Sequence, residues 1–183
     1  MSRNRALLLD RDGVINRAIV RDGKPYPPAS ASEMDILPGV AEALARSRVL
    51  GYLNIVITNQ PDVARGTQTR EAVEAMNCAL MQALPIDDVF VCYHDDEDRC
   101  ACRKPRPGLV FHAAKKHNLD VNRSYVIGDR WRDIEAGIAA ACRTILIDYG
   151  YNECSPSRPP EFRVGSLLEA VARIEMEQKG CTD

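Results

Sequence analysis

The chain has 183 residues, 45% of them hydrophobic and 27% charged, with a formal net charge of -2. That length suits one domain with a full core and is short for two. The slightly acidic balance argues against a nucleic-acid partner, and no run of about 18 apolar residues offers a membrane span.

In chain order, Arg3-Asn4-Arg5 leads straight into an apolar run, which leaves no space for a signal peptide and predicts a cytoplasmic protein. Ala6–Asp10 reads as a first strand. Pro38–Leu50 reads as a helix, with proline at an early position and a stop before Gly51. Leu53–Thr58 is a second strand. Thr69 is placed to cap a helix that runs to Leu84 and ends at Pro85. Val89–Tyr93, Tyr125–Gly128 and Thr144–Ile147 are further strands, separated by helices over Pro107–His117 and Ile134–Ala141. Ser166-Leu167-Leu168-Glu169 spells a capping box that opens a last helix to about Gln178. Strands alternating with helices predict a Rossmann-like three-layer α/β sandwich on a mostly parallel sheet. Residues 16–37, with Gly23-Lys24-Pro25-Tyr26-Pro27-Pro28, read as a long loop over the sheet edge. The Pro-, Ser- and Arg-rich stretch 149–165 reads as a second excursion. The whole, 1–183, is expected to be a single domain with a core over about 6–150 and a C-terminal extension from 151.

Leu7-Leu8-Leu9-Asp10-Arg11-Asp12-Gly13 stops an apolar strand at two carboxylates one residue apart. Such a tip lies where open α/β folds place their chemistry. Two acids there can hold a divalent cation, or divide the work of nucleophile and proton carrier. An ordinary Asp-Gly turn has the same spelling. Thr58-Asn59-Gln60 ends the second strand with a hydroxyl and two amides, suited to phosphate oxygens or sugar hydroxyls, although a plain polar turn would look alike. Arg103-Lys104-Pro105-Arg106-Pro107-Gly108 sets cations before a helix start, where anions are attracted; solvated surface charge is the bland alternative. Ile127-Gly128-Asp129 repeats the acid-tipped strand, and Asp133 follows near the next helix start, where it could serve only as a cap. Cys92, His94, Cys100 and Cys102 supply three thiolates and an imidazole within eleven residues, the donor set of a closed tetrahedral zinc site. With no open position, that zinc is structural and pins the loop presenting Arg103 and Lys104. Asp95, Asp96, Glu97 and Asp98 read as solvated, since carboxylates lose to thiolates for zinc. Cys78 and Cys142 read as small buried hydrophobes, His112 and His117 as helix-surface residues, and Trp131 as packing beside the site.

Taken together, these segments resemble the haloacid dehalogenase superfamily of phosphatases over about residues 6–150. Asp10-Arg11-Asp12-Gly13 matches its first motif, Thr58 its second, Lys104 its third, and Gly128-Asp129 with Asp133 its fourth. The zinc loop running into Cys102-Arg103-Lys104-Pro105 is similar to that of heptose bisphosphate 7-phosphatases and of histidinol-phosphate phosphatases, small families without a large cap domain. Thr58-Asn59-Gln60 with Arg65-Gly66, and Pro107-Gly108, favour the heptose group. The short His94-to-Cys100 spacing favours the histidinol group, and Pro61 and the 18–28 loop depart from familiar heptose enzymes.

The resemblance implies that Asp10 attacks phosphorus and that Asp12 protonates the leaving alkoxide and later activates water. It implies magnesium held by Asp10, the backbone carbonyl of Asp12, and Asp129. Thr58 and Lys104 would stabilise the phosphoryl oxygens. Arg103 would recognise the rest of a small phosphorylated sugar, a second phosphate included, with Arg11, Ala18, Ile19, Val20, Arg21, Asn59, Gln60, Pro61 and Arg130 as further contact positions. A monomer acting in nucleotide-activated heptose and lipopolysaccharide synthesis is the expected setting, with histidine biosynthesis the alternative. A catalytically silent zinc scaffold on the same fold has no need of five intact motif residues. A capped phosphoglucomutase-like phosphotransferase finds no room for its cap.

Overall fold

The computed structural model describes residues 3–180. Six parallel strands form one sheet in the order β5-β4-β1-β6-β7-β8. They are β5 (Asp88–Cys92), β4 (Tyr52–Asn59), β1 (Arg5–Leu9), β6 (Tyr125–Gly128), β7 (Arg143–Ile147) and β8 (Phe162–Val164). At the centre, Leu9 of β1 lies in register with Val56 on one side and Ile127 on the other. Leu7, Leu8 and Leu9 are all fully buried, which explains why the strand reads as continuously apolar rather than alternating.

Side chains leaving the two faces build two cores. Leu7, Leu9 and Ile127 join Ala43 and Leu44 of helix α1 (Val40–Val49), and Ala170 and Ile174 of helix α5 (Leu167–Gly180). Ala6, Leu8 and Val126 join Leu109, Val110 and Ala113 of helix α3 (Gly108–His117). Helix α4 (Trp131–Ala139) lies on this second face, where a Cβ on Gly137 would come within 2.9 Å of Val126 Cβ and 2.5 Å of Thr144 Cγ2. The chain therefore leaves neighbouring strands β1 and β6 toward opposite faces. That reversal opens a crevice at their carboxyl ends, the usual ligand position of an open parallel sheet.

All five expected core strands and all five expected helices are present. Thr69 caps helix α2 (Arg70–Ala83), its hydroxyl accepting from the Ala72 N–H at 3.1 Å. Two segments read as loops contain structure. Residues 16–37 hold an antiparallel hairpin, β2 (Ile19–Arg21) on β3 (Lys24–Tyr26). Residues 149–165 hold β8, which pairs Val164 with Ile147 and returns the chain to the sheet before α5. Three-residue strands rich in proline and arginine carry too little periodicity to be seen. Helix α4 begins at Trp131, earlier than the expected Ile134, because Asp133 reaches back to accept the Arg130 N–H at 3.1 Å.

Cys78 is exposed rather than buried. The buried stripe of α2 runs through Val73, Met76, Asn77 and Leu80, and position 78 falls outside it. Cys142 is partly buried against the α3-side core. Cys181 lies outside the described residues. No described helix is long and apolar enough to cross a membrane.

Candidate active site

The tips of β1, β4 and β6 meet the segment before α3. Asp10 leaves β1 with its backbone N–H on the Ile127 carbonyl at 2.9 Å, which locks the first acidic tip to the third strand end. The ammonium of Lys104 lies 2.9 Å from Asp10 Oδ1 and 2.6 Å from Asp133 Oδ1, and donates to the Ile57 carbonyl at 2.8 Å. Asn59 holds Lys104 by its backbone on both sides: Nδ2 donates to the Lys104 carbonyl at 3.0 Å and Oδ1 accepts the Lys104 N–H at 3.1 Å.

Asp12 is oriented by three side chains. Gln60 Nε2 donates to it at 2.8 Å and Asn16 Nδ2 at 2.9 Å, and the buried Arg11 guanidinium pairs with it at 3.1 Å. Gln60 also donates to the Thr58 hydroxyl at 2.9 Å, so the polar end of β4 is wired to the first acidic pair. Arg11 continues to Asn77 at 3.0 Å and points into the protein rather than the crevice.

Asp10, Asp129 and Asp133 each bring a carboxylate oxygen within 4.8 Å of the others. Neither oxygen of buried Asp129 meets hydrogen-bond geometry with a described residue, and the Tyr151 hydroxyl interacts with the carboxylate only weakly. Burial pushes its carboxyl well above the usual range, with Asp10 and Asp133 adding repulsion. Burial likewise pushes Asp10 up to about 6, Lys104 opposing the shift and Asp133 adding to it. Burial works against the charge of Lys104, but Asp10 and Asp133 outweigh it and hold the ammonium charged. Three carboxylates around one ammonium leave a surplus of negative charge, and the under-satisfied Asp129 oxygens mark where a hard divalent cation fits. Gly13 makes room for this arrangement: at φ +90°, a Cβ there would lie 2.0 Å from Asp129 Oδ2. Gly13→Ala is expected to weaken magnesium activation at least tenfold and to cost about 1–3 kcal/mol of stability; magnesium titration of activity and thermal melts check both.

The carboxyl shifts also set a pH dependence. Without a cation, Asp10 ionises near 6 when folded against 3.8 ordinarily, so the native state holds the extra proton between those values. Stability of the cation-free protein is expected to fall as pH rises from about 4 through about 6, and Asp129, also pushed up, extends the fall to higher pH. Cation binding must displace those protons, so magnesium affinity is expected to rise over the same span. Calorimetric titration at about pH 5 and pH 7 reads both the affinity and the protons released.

The loop after β5 gathers the four soft donors. The Cys92, Cys100 and Cys102 sulfurs are 3.2, 3.5 and 3.7 Å apart, and His94 Nδ1 lies 3.3 Å from Cys102 Sγ and 3.6 Å from Cys92 Sγ. Zn–S bonds of ~2.3 Å in a tetrahedron imply sulfur–sulfur edges of about 3.8 Å, so the donor set fits that ion. The acidic run beside it is not uniformly solvated. Asp96 pairs with Arg103 at 2.8 Å and with Arg132 at 3.0 Å, while Asp95 accepts two bonds from Arg65 at 2.7 Å. Guanidinium partners offset the exposure expected of such a run.

A cavity of about 240 Å³ opens over Asp10, Asp12 and Lys104. Of the expected contact residues, Asn59, Pro61, Arg103 and Arg130 line it. Arg130 is held by Glu153 through two bonds, one of 3.0 Å. Gln60 is buried beneath, and Thr58 with it. Ala18 and Val20 line a separate cavity with Arg17, Tyr149 and Tyr151, while Ile19 and Arg21 line neither. It is β3 of the hairpin, through Lys24, Pro25 and Tyr26, that faces the crevice. Asp133, Arg65, Asp96 and Arg132 also line it, and they were not among the expected contacts. Asp133 belongs to the matched fourth motif; its pairing with Lys104 at 2.6 Å is what the sequence did not show. His112 is exposed; His117 hydrogen-bonds Asp88 at 2.6 Å, away from the crevice.

A HAD-hydrolase-like family profile matches residues 101–170. The chain is 35% identical over 153 residues to a D-glycero-beta-D-manno-heptose-1,7-bisphosphate 7-phosphatase of Helicobacter pylori, spanning 80% of this chain and 85% of that one. It is 38% identical over 152 residues to a D-glycero-alpha-D-manno-heptose-1,7-bisphosphate 7-phosphatase of Mycobacterium bovis, spanning 77% and 78%. A crystal structure of D,D-heptose 1,7-bisphosphate phosphatase from B. bronchiseptica, complexed with magnesium and phosphate, matches with a TM-score of 0.77 at 28% identity, covering 94% of this chain and 99% of that one. Acid-tipped strands converging on a lysine in a parallel α/β sheet define the haloacid dehalogenase-like class. Within it, the chain belongs to the family of the heptose-1,7-bisphosphate 7-phosphatases.

Proposed function

We propose that this chain removes the 7-phosphate of D-glycero-D-manno-heptose 1,7-bisphosphate through a phosphoryl group carried on Asp10. The observation that carries the reading is Lys104, bridging Asp10 and Asp133 beside an under-satisfied Asp129 carboxylate. Asp10 is the nucleophile, its Oδ1 fixed by the Arg11 N–H at 2.8 Å and by Lys104. Attack by a carboxylate oxygen on phosphorus releases the sugar alkoxide. Asp12, oriented by Gln60, Asn16 and Arg11, gives that alkoxide its proton and then takes one from the water that cleaves the acyl phosphate. Lys104 and the Thr58 hydroxyl stabilise charge on the transferring oxygens. Asp10, Asp129 and the Asp12 carbonyl would hold magnesium, with Asp133 close by. When bound, the ion screens the phosphate from the attacking carboxylate. Zinc on Cys92, His94, Cys100 and Cys102 is structural and fixes the loop that ends at Arg103 and Lys104.

The reading includes a cytoplasmic monomer working on a small sugar phosphate, within one domain over 1–183. The test is phosphate release from both anomers of the bisphosphate and from histidinol phosphate, with and without magnesium. Magnesium-dependent loss of the 7-phosphate, leaving the 1-phosphate in place, is the expected result. A large preference for histidinol phosphate overturns it.

A further inference from the structure

The crevice has a second cluster of charge that the chemistry above does not use. Asp96 Oδ1 accepts from two guanidinium groups at once, Arg103 Nε at 2.8 Å and Arg132 Nη1 at 3.0 Å, and Asp96 Oδ2 accepts from Arg103 Nη2 at 3.3 Å. One carboxylate oxygen shared by two arginines is the arrangement a phosphate oxygen makes. Asp96 is the close partner of both arginines; Asp95 lies farther from Arg103, at 3.6 Å, and is engaged by Arg65 at 2.7 Å. All three side chains line the same cavity as Asp10 and Lys104. Arg132 is steered from behind, its guanidinium stacked 5.0 Å from the centroid of the Trp131 ring. It sits in the first turn of α4, one residue before Asp133, so its backbone is fixed by the same helix start that positions the lysine-bound carboxylate. Asp96 is half exposed and can turn to water.

We infer that Arg132 is a specificity-determining residue: together with Arg103 it forms a two-guanidinium subsite for the second, unreacting phosphate of the substrate, a place that Asp96 holds when no substrate is bound. The inference rests on the bisphosphatase reading and adds a residue to it. Arg103 alone follows from the motif next to Lys104; Arg132 follows only from the shared contact with Asp96. Because both arginines address an oxygen-rich anion rather than a sugar ring, the subsite selects for the phosphate on the far carbon and not for the ring itself. Lysine at 132 would keep the charge but not the planar fork.

The test compares Arg132→Gln and Arg132→Lys with the unmodified chain on two substrates, the heptose 1,7-bisphosphate and the heptose 7-phosphate that lacks the 1-phosphate. In Arg132→Gln, the ratio of kcat/KM for bisphosphate over monophosphate is expected to fall tenfold or more, mostly through a higher KM. Arg132→Lys is expected to fall between the two. An unchanged ratio overturns the inference, and so does an equal loss on both substrates, which would place Arg132 with the reacting end. Thermal melts accompany both variants; if Arg132→Gln does not fold, the Arg132→Lys ratio decides by the same rule. If the unmodified chain hydrolyses neither substrate, it is the bisphosphatase reading that fails.

Discussion

Asp10→Asn is expected to lower kcat by roughly 10⁴-fold or more while the protein stays folded. An amide has nearly the shape of the carboxylate but cannot attack phosphorus. The fold should tolerate the change, because Lys104 keeps Asp133 at 2.6 Å and the Ile57 carbonyl at 2.8 Å. Stability should hold or rise. Asp10 is buried and pushed up to about 6, so the native carboxylate is a strained charge, repelled by Asp133 and Asp12. Neutralising it relieves that strain, as expected where a group sits at a functional site for reasons other than stability. Steady-state phosphate release and a thermal melt on the same sample read both halves. Activity near the unmodified level would remove Asp10 from the nucleophile's role and, with it, the phosphoryl-carboxylate step.

Removal of zinc is expected to have the largest effect on stability, a loss of more than about 4 kcal/mol. Three sulfurs within 3.7 Å of one another, with the His94 imidazole beside them, repel as thiolates and crowd as thiols unless an ion sits among them. The consequence should reach substrate binding. Cys102 adjoins Arg103, and the Arg103 N–H lies 3.4 Å from the Cys100 sulfur, so a loosened cluster carries the arginine with it. A zinc-selective chelator with magnesium in excess should therefore lower the melting temperature and raise KM, with metal content measured in parallel. Purified protein with no stoichiometric zinc would refute the assignment.

Much of the crevice was legible in the sequence, because its parts lie at the ends of strongly apolar strands. Leu7–Leu9, Ile55–Ile57 and Val126–Ile127 are buried on both faces, and a run of that kind announces both the strand and the polar residue that stops it. Asp10, Thr58 and Asp129 were found for that reason. The Cys92, His94, Cys100 and Cys102 cluster is legible because its spacing is local. What escaped depends on long-range contact. Asp133 falls within a matched motif, but its pairing with a lysine 29 positions earlier in the chain does not show in the sequence. Asp96 read as one member of a solvated acidic run, and only the folded chain brings Arg132 to it across 36 positions. The short β8 pairs through three residues and is held by its neighbour β7 rather than by any pattern of its own. Helix α4 began early because a carboxylate inside its first turn closed back on the preceding N–H, a contact that apolar periodicity does not encode.

The two bonds from Asn59 to the backbone of Lys104 have a consequence for divergence. They anchor the lysine to the rim of β4 independently of what precedes it in the chain. Between the cluster residues His94 and Cys100, the chain can then lengthen, shorten or exchange its acids without shifting the Lys104 ammonium. Selectivity and chemistry are thus mechanically uncoupled at one peptide unit, and a lineage can retune the first while inheriting the second unchanged.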